Sequence, residues 1–354
     1  MEMRSLQRVR KGRSYTTKHM SHVLHGGVFP TGLATGIGSL PFTDARTAAE
    51  LVLHAHPVLP AIPQLAIPRE GVVAQWADAL PEITIAPDGS LILDAQRVGE
   101  PIDVSFTAKS HSGLLGFLDV ARLAPVPVTR VKAQVVGPLT LGTALVHAGM
   151  TPAVAFERAL ETVESWLGAL EELLATRLRG ARPLVFLDEP ALVLWKRECA
   201  PIEREDAIDV LSNALAACTV ETGVHVCGDG DVRLAFEAGP TVLGLPVSDA
   251  LVDDVGSLVR HLDADGWIAW GAVPTDGPIG ESPDPLWRKL VGTWCELTRR
   301  GCEPLRLRSQ AIITPACGLA NHGPSQAERA LRLAAEMAER VAAQRAAARL
   351  TAGA

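Results

Sequence analysis

The chain has 354 residues, of which 47% are hydrophobic, and a formal net charge of -7. This length allows a large core in one or two domains, and the acidic balance argues against nucleic-acid binding as the main task. No uncharged apolar run reaches the ~18 residues of a membrane span. The six cysteines show no C-x-x-C spacing, which favours reduced thiols and a cytoplasmic location.

The N-terminal end differs in charge from the rest of the chain. Residues 1–18 carry six basic side chains against Glu2 alone, a local charge of +5. The stretch lacks the apolar segment of a signal peptide. We interpret residues 1–30 as a disordered leader, with Met20 as an alternative start and a nucleic-acid-binding arm as the competing interpretation. Residues 31–345 are expected to form one domain, and residues 346–354 a frayed tail.

Short apolar runs recur along the chain, and most precede a stretch with helical spacing. Eight of them are predicted as strands: Leu33–Ser39, Leu59–Ile62, Val131–Val136, Leu184–Leu187, Gly223–Cys227, Val242–Leu245, Trp267–Gly271 and Ala311–Thr314. Two alternating runs within residues 83–93, with Asp88 and Gly89 in the turn between them, predict a β-hairpin between the second and third strands.

The intervening helices have recognisable start signals. Thr43 is the predicted N-cap of a helix over residues 45–55, and Thr151 is that of a helix extending to Leu178. Further helices are predicted over residues 205–222 and 231–238. A capping box at residues 325–328 is expected to open the last helix.

This alternation predicts a (β/α)8 barrel, in which functional residues lie in the loops that follow the strands. A doubly wound sheet is the alternative, but it would not bring the first and eighth strands together. Chemically useful side chains do follow the predicted strands: Ser39, Asp188, His225, Cys227, Asp249, Asp276 and Cys317.

His225 and Cys227 are the strongest indication of a metal site. Residues two apart in a strand project to the same face, so an imidazole and a sulfur emerge together, a pair that suits zinc. Cys317 follows the eighth strand and is the predicted third ligand, because all strand ends of a barrel face one mouth. A core histidine without a metal is the alternative.

Two other strand ends have open interpretations. Gly38 allows a ligand to approach the backbone closely, and Ser39 offers a hydroxyl group; a tight strand-to-helix turn explains the same residues. Asp188 and Glu189 need partners or a function if they are buried, and a solvated loop is the alternative.

The chain resembles the C-terminal catalytic barrel of cobalamin-independent methionine synthase, in the superfamily that includes uroporphyrinogen decarboxylase. The resemblance extends from about Leu33 to Val341. It rests on five motifs in the same order: Ile37–Pro41, Gly137–Thr140, Asp188–Ala191, His225–Cys227 and Pro315–Leu319.

The resemblance implies a zinc-dependent methyltransferase of methionine biosynthesis that acts on a small, homocysteine-like thiol. The implied site has zinc on His225, Cys227 and Cys317, the substrate carboxylate on Ile37, Gly38 and Ser39, and the substrate ammonium on Asp188. A zinc-bound thiol would lose its proton and attack a methyl group.

The chain also departs from the family. Pro246 stands near the position of a glutamate zinc ligand, so Asp249 is the candidate fourth ligand. Glu70 is the nearest carboxylate to a substrate-binding glutamate, and Asp276 matches a catalytic histidine; Asp188 and Asp276 are thus the predicted catalytic residues. No counterpart of the family's folate-binding barrel precedes the first strand, so a corrinoid protein or methylcobalamin is the expected methyl donor.

Two other functions compete with methyl transfer. One is a decarboxylase of the same superfamily, which would need no zinc. The other is a non-catalytic barrel that binds zinc or a thiol. Neither a nucleic acid nor a membrane is expected as a partner.

Overall fold

The structure is a computed structural model that describes residues 29–352, without the side chains of residues 249–250 and 346–352. Residues 1–28, almost all of the predicted leader, lie outside the described part. The strands are β1 (Leu33–Ala34), β2 (Ile83–Ile85), β3 (Leu91–Leu93), β4 (Arg130–Val136), β5 (Arg182–Asp188), β6 (Glu221–His225), β7 (Val242–Pro246), β8 (Trp267–Val273) and β9 (Ala311–Pro315).

Helices follow most of these strands. They are α1 (Ala45–Ala55), α2 (Ala74–Ala77), α3 (Ser112–Arg122), α4 (Pro138–His147), α5 (Pro152–Arg177), α6 (Leu192–Lys196), α7 (Arg204–Ala217), α8 (Val232–Glu237), α9 (Val255–Asp263), α10 (Pro283–Arg299), α11 (Pro304–Ser309) and α12 (Pro324–Ala352). Two short 3-10 helices cover Pro68–Glu70 and Asp249–Val252.

Seven parallel strands form one sheet in the order β1-β9-β8-β7-β6-β5-β4. The segment 60–64 closes this sheet into a barrel by pairing with both of its edges. The amide of Ile62 donates to the carbonyl of Lys132 at 2.8 Å, and the amide of Gln64 donates to that of Gly38 at 2.9 Å. The predicted second strand therefore occupies its place, as isolated bridges. The predicted (β/α)8 barrel is confirmed, as is the excursion, in which β2 and β3 pair antiparallel.

Strand alternation decides which side chains enter the barrel. In β5, Leu184 and Phe186 belong to the small interior cluster, whereas Val185 and Leu187 join the larger core beneath the helices. Because side chains alternate between faces, Asp188 continues the interior row at the end of the strand. This alternation directs polar residues at the strand ends into the mouth of the barrel.

The helix boundaries correct three predictions. Asp44, and not Thr43, caps α1, because its carboxylate accepts the Thr47 amide at 2.7 Å. The last helix already begins at Pro324, whose fixed φ suits the first helical position, so Ser325 lies inside the helix and the predicted capping box is wrong. Helix α7 ends at Ala217, because β6 begins four residues later.

Between residues 29 and 352, we find no helix that combines the length and the apolar composition needed to cross a membrane.

Candidate metal centre

Three predicted metal ligands meet at the mouth of the barrel. Strand β6 ends at His225, and Cys227 follows two residues later. Cys317 lies two residues beyond the end of β9. Gly228 has φ +55°, a left-handed conformation that turns the chain away directly after Cys227. The mouth thus collects ligands that are distant in sequence.

The geometry of the cluster fits a metal ion. One ligand atom from each of the three residues lies within 4.8 Å of the others. The sulfur atoms of Cys227 and Cys317 are 3.7 Å apart. Two Zn–S bonds of ~2.3 Å at a tetrahedral angle place their sulfurs ~3.8 Å apart. His225 Nε2 is buried and has no hydrogen-bond partner among the described residues, as expected of a nitrogen kept for a metal.

The two thiols have different electrostatic surroundings. The hydrogen bond with Cys227 is the main cause that lowers the pKa of Cys317, and the neighbouring His225 lowers it further. The shared hydrogen bond, together with burial, raises the pKa of Cys227. Two thiolates this close repel each other, so a cation bound between them would favour the deprotonated form of both.

Asp188 lies beside the cluster at the end of β5, in register with His225. Its Oδ1 atom is buried and has no hydrogen-bond partner among the described residues. Burial raises the pKa of Asp188, and the nearby Lys132 and His225 oppose that rise. An unpartnered buried carboxylate is costly, so Asp188 is available to a cationic or hydrogen-bond-donating group.

Ser39 is held against the loop that carries Cys317. The Ser39 carbonyl accepts the Leu319 amide at 2.9 Å. A Cβ atom at Gly318 would overlap the hydroxyl oxygen of Ser39. The predicted ligand-binding turn of Ile37, Gly38 and Ser39 therefore adjoins the candidate metal centre, although its predicted contact with a carboxylate stays a prediction.

Sequence reasoning missed Lys132, which is 1% exposed inside the barrel. Its ammonium donates to the carbonyl of Ile37 and lies 4.8 Å from the centre of the Phe186 ring. Burial lowers its pKa to about 8, while Asp188 and Cys227 favour the charged form. The signal was in the sequence, since Lys132 and Gln134 share one face of a strand whose other face is apolar.

Glu189 has a structural role. Its carboxylate accepts hydrogen bonds from the amides of Leu139 and Thr140 at 2.9 and 2.8 Å, and from the Thr140 hydroxyl at 2.6 Å. Burial raises its pKa to about 7. Glu189 thereby joins the end of β5 to the start of α4, which leaves Asp188 as the residue of this pair that faces the mouth.

Glu70 is engaged elsewhere in the fold. It is 1% exposed and accepts hydrogen bonds from the Leu65 amide at 2.8 Å, the Gly113 amide at 3.0 Å and the Ser112 hydroxyl at 2.5 Å. Both carboxylate oxygens are thus used to bind one loop to the start of α3. Glu70 is not part of the His225, Cys227 and Cys317 cluster, and its predicted contact with substrate stays a prediction.

Asp276 and Asp249 are the remaining predicted site residues. Asp276 is exposed and lines a pocket of about 430 Å³ together with Cys317 and Pro246. Asp249 begins a 3-10 helix, and its side chain is not among those described. The pocket gives the candidate metal centre an opening to solvent on the side of Cys317.

No protein-family model and no curated protein matches the sequence. Among solved structures, a GH113 β-1,4-mannanase matches with a TM-score of 0.41 and 9% identity, over 87% of this chain and 99% of that one. The GH113 β-mannanase of Alicyclobacillus acidocaldarius in complex with ManMIm matches with a TM-score of 0.41 and 10% identity, over 90% of this chain and 99% of that one. A likeness of this degree assigns no activity to this chain.

These comparisons nevertheless correct the functional prediction. The two solved structures named above are β-mannanases and not methyltransferases. The predicted methyltransferase of methionine biosynthesis is therefore wrong by this comparison, and we do not propose it again. Its corrinoid methyl donor and the alternative decarboxylase are not carried forward either.

Proposed function

We propose that this protein binds a zinc ion at the mouth of its barrel through His225, Cys227 and Cys317, and that the metal presents an open coordination position to a small-molecule thiol. The observation that carries the proposal is the meeting of three soft ligand atoms within 4.8 Å. An imidazole with two sulfurs is a common zinc ligand set, and three protein ligands leave the fourth position free.

The surroundings support a metal more than a plain core cluster. His225 Nε2 and Asp188 Oδ1 are both buried without hydrogen-bond partners among the described residues. Each such atom costs about 1–3 kcal/mol if nothing compensates for it. A metal on the imidazole and a ligand cation near the carboxylate would compensate for both. A folded chain that keeps both groups in place therefore gains stability when the site is filled.

The chain supplies the environment, and the metal would supply a positive charge and a coordination position. The pocket of about 430 Å³ beside Cys317 offers the path by which a small molecule reaches that position. Asp188 is placed to pair with an ammonium or another donor on the bound molecule. We also propose a cytoplasmic location, because two half-buried thiol ligands stay reduced in a reducing compartment.

Metal analysis of purified protein tests the first half of the proposal. We expect about one zinc per chain in the wild type, and loss of that zinc in Cys227→Ser and Cys317→Ser. Cys199 and Cys295 are exposed and distant in sequence from the cluster, so Cys199→Ser and Cys295→Ser are matched controls that retain the metal. Full zinc content in both site variants would show that the ligand assignment is wrong.

Cobalt substitution tests the second half. Cobalt in a site with cysteine ligands has a visible spectrum that changes when a further sulfur binds. We expect cysteamine, a thiol with an ammonium group, to change the spectrum of the cobalt-loaded wild type. Asp188→Asn should keep its metal but bind cysteamine roughly tenfold more weakly, because a charge-assisted contact is lost. Equal binding by wild type and variant would remove Asp188 from the ligand site.

A further inference from the structure

The sulfur atoms of the candidate metal centre form a close pair in their own right. They are 3.7 Å apart, and no other two cysteines of the described chain are in contact through hydrogen bonding. A disulfide has an S–S bond of ~2.05 Å, so the sulfurs need to approach by only ~1.7 Å. Cys227 and Cys317 both lie beyond their strands, each one residue past an amide that still bonds to a neighbouring strand, Val226 to Gly244 and Ala316 to Val273.

A small oxidant can reach this pair. Cys317 is half-buried and lines the pocket of about 430 Å³, together with Gly228, which directly follows Cys227. The other cysteines differ in this respect. Cys302 is buried, whereas Cys199 and Cys295 are exposed, and no hydrogen bond joins any of these three to a second thiol in the described chain.

We propose that Cys227 and Cys317 form a reversible disulfide when the chain is free of metal and meets a peroxide. In the first step one of the two sulfurs, as a thiolate, attacks hydrogen peroxide, the O–O bond breaks, and a sulfenic acid and hydroxide form. In the second step the thiol of the other cysteine, 3.7 Å away, attacks that sulfur, the S–S bond forms and water leaves. The two thiols lose two electrons and two protons, and the peroxide is reduced to two waters.

The disulfide has a consequence for metal binding, and only this consequence rests on the proposed zinc centre. Thiolates, and not disulfide sulfurs, are the ligands that zinc needs. Oxidation would remove two of the three protein ligands at once and leave His225 alone. The redox state of one cysteine pair would therefore decide whether the mouth of the barrel holds a metal.

Peptide mapping of the full-length, chelator-treated protein tests this proposal. After exposure to hydrogen peroxide we expect a cross-link between the peptides that contain Cys227 and Cys317. We also expect a mass loss of ~2 Da for the two hydrogens, and reversal of both changes by dithiothreitol. Cys199→Ser should retain the cross-link as a matched control, whereas Cys227→Ser and Cys317→Ser should each lose it. Two site variants guard against the misfolding of either one.

The proposal would be overturned if Cys227 and Cys317 remained reduced thiols under conditions that oxidise Cys199 and Cys295. It would also be overturned if the two sulfurs were oxidised to separate sulfinic acids. Zinc binding by the cross-linked chain should be at least 100-fold weaker than by the reduced chain, and undiminished affinity would refute the switch. A reduced chain that binds no zinc would instead contradict the proposed metal centre, so the two failures are measured separately.

Discussion

Lys132 and Asp188 are two buried ionisable residues in the interior of the barrel. Each influences the pKa of the other, although the pair makes no direct ion pair within 4.0 Å. Taking one charge away leaves the other buried in a region of low dielectric, which is costly. The charges of Lys132 and Asp188 therefore partly compensate each other inside the barrel.

A double-mutant cycle measures this balance. Lys132→Met and Asp188→Asn should each lower the free energy of unfolding, and the double variant should lose less than the sum of the two. We expect a coupling of about 1–2 kcal/mol, because opposite charges several ångströms apart interact by that order at an intermediate dielectric. Chemical denaturation of the metal-free proteins provides the measurement, and strictly additive effects would contradict the coupling.

His111 is a buried residue whose environment predicts how the stability of the protein depends on pH. It is 1% exposed and packs against the rings of Trp76, Phe106 and Trp166, at centroid distances of 5.4, 5.2 and 4.9 Å. Neither ring nitrogen has a hydrogen-bond partner in the described chain. Burial lowers its pKa from 6.5 to about 4, so the native protein holds this ring neutral.

The sign of the resulting pH dependence follows from linkage. Between pH 6.5 and about 4 the unfolded chain binds a proton at His111, whereas the folded chain does not. The free energy of unfolding therefore falls as the pH falls. His111 alone accounts for a loss of roughly 3 kcal/mol across this window. His111→Phe should lose less stability than the wild type between pH 7.5 and 4.5. The exposed His54, changed to Gln, should behave like the wild type; identical profiles for all three proteins would refute the assignment.

At the scale of elements, the loop after β9 determines the position of Cys317. This loop packs on the Ile37–Ser39 turn, and its closest approach is at Gly318, where no side chain fits beside Ser39. Only glycine, which has no Cβ atom, fits where two segments approach each other this closely. The loop that carries the candidate ligand Cys317 is therefore placed by packing against the loop after β1, the strand that pairs directly with β9.

Gly318→Ala should separate these two loops. We expect a loss of about 1–3 kcal/mol in unfolding free energy from overpacking, together with weaker zinc binding because Cys317 moves. Gly277→Ala is the matched control, since a Cβ atom there would meet nothing within 4 Å. Removing the obstructing hydroxyl in Ser39→Gly/Gly318→Ala should restore part of both losses. A Gly318→Ala protein with wild-type stability and zinc affinity would disprove the packing argument.

At the scale of the whole molecule, the candidate metal ligands join parts of the sheet that do not touch directly. Strands β7 and β8 lie between β6, which leads to Cys227, and β9, which leads to Cys317. A metal bound by both loops would fasten the mouth across two intervening strands. Anything that binds the folded chain and not the unfolded chain raises its stability by mass action.

Zinc should therefore stabilise the protein as a whole. At a free zinc concentration 100 times the dissociation constant we expect a gain of about 2.7 kcal/mol in unfolding free energy, seen as a higher midpoint in thermal denaturation. Chelation should reverse the gain. Cys317→Ser should unfold at one temperature with or without zinc, and a zinc-dependent midpoint in that variant would place the metal elsewhere.

The sequence by itself determined the barrel and most of the cluster. Short apolar runs such as Val242–Leu245 and Ala311–Thr314 were recognisable because a parallel strand that is buried on both faces is continuously hydrophobic. His225 and Cys227 were predicted to share a face because strand side chains repeat every two residues. Cys317 could be added because all strand ends of a barrel face one mouth.

Only the tertiary structure decided what the polar side chains do there. The alternating pattern around Lys132 reads as a solvated strand face in an open sheet, but closure of the barrel turns that face inward. Glu70 and Glu189 are ordinary carboxylates in sequence, and it is the distant amides of Gly113 and Leu139 that give them structural roles. These contacts join residues tens of positions apart, and local periodicity carries no information about them.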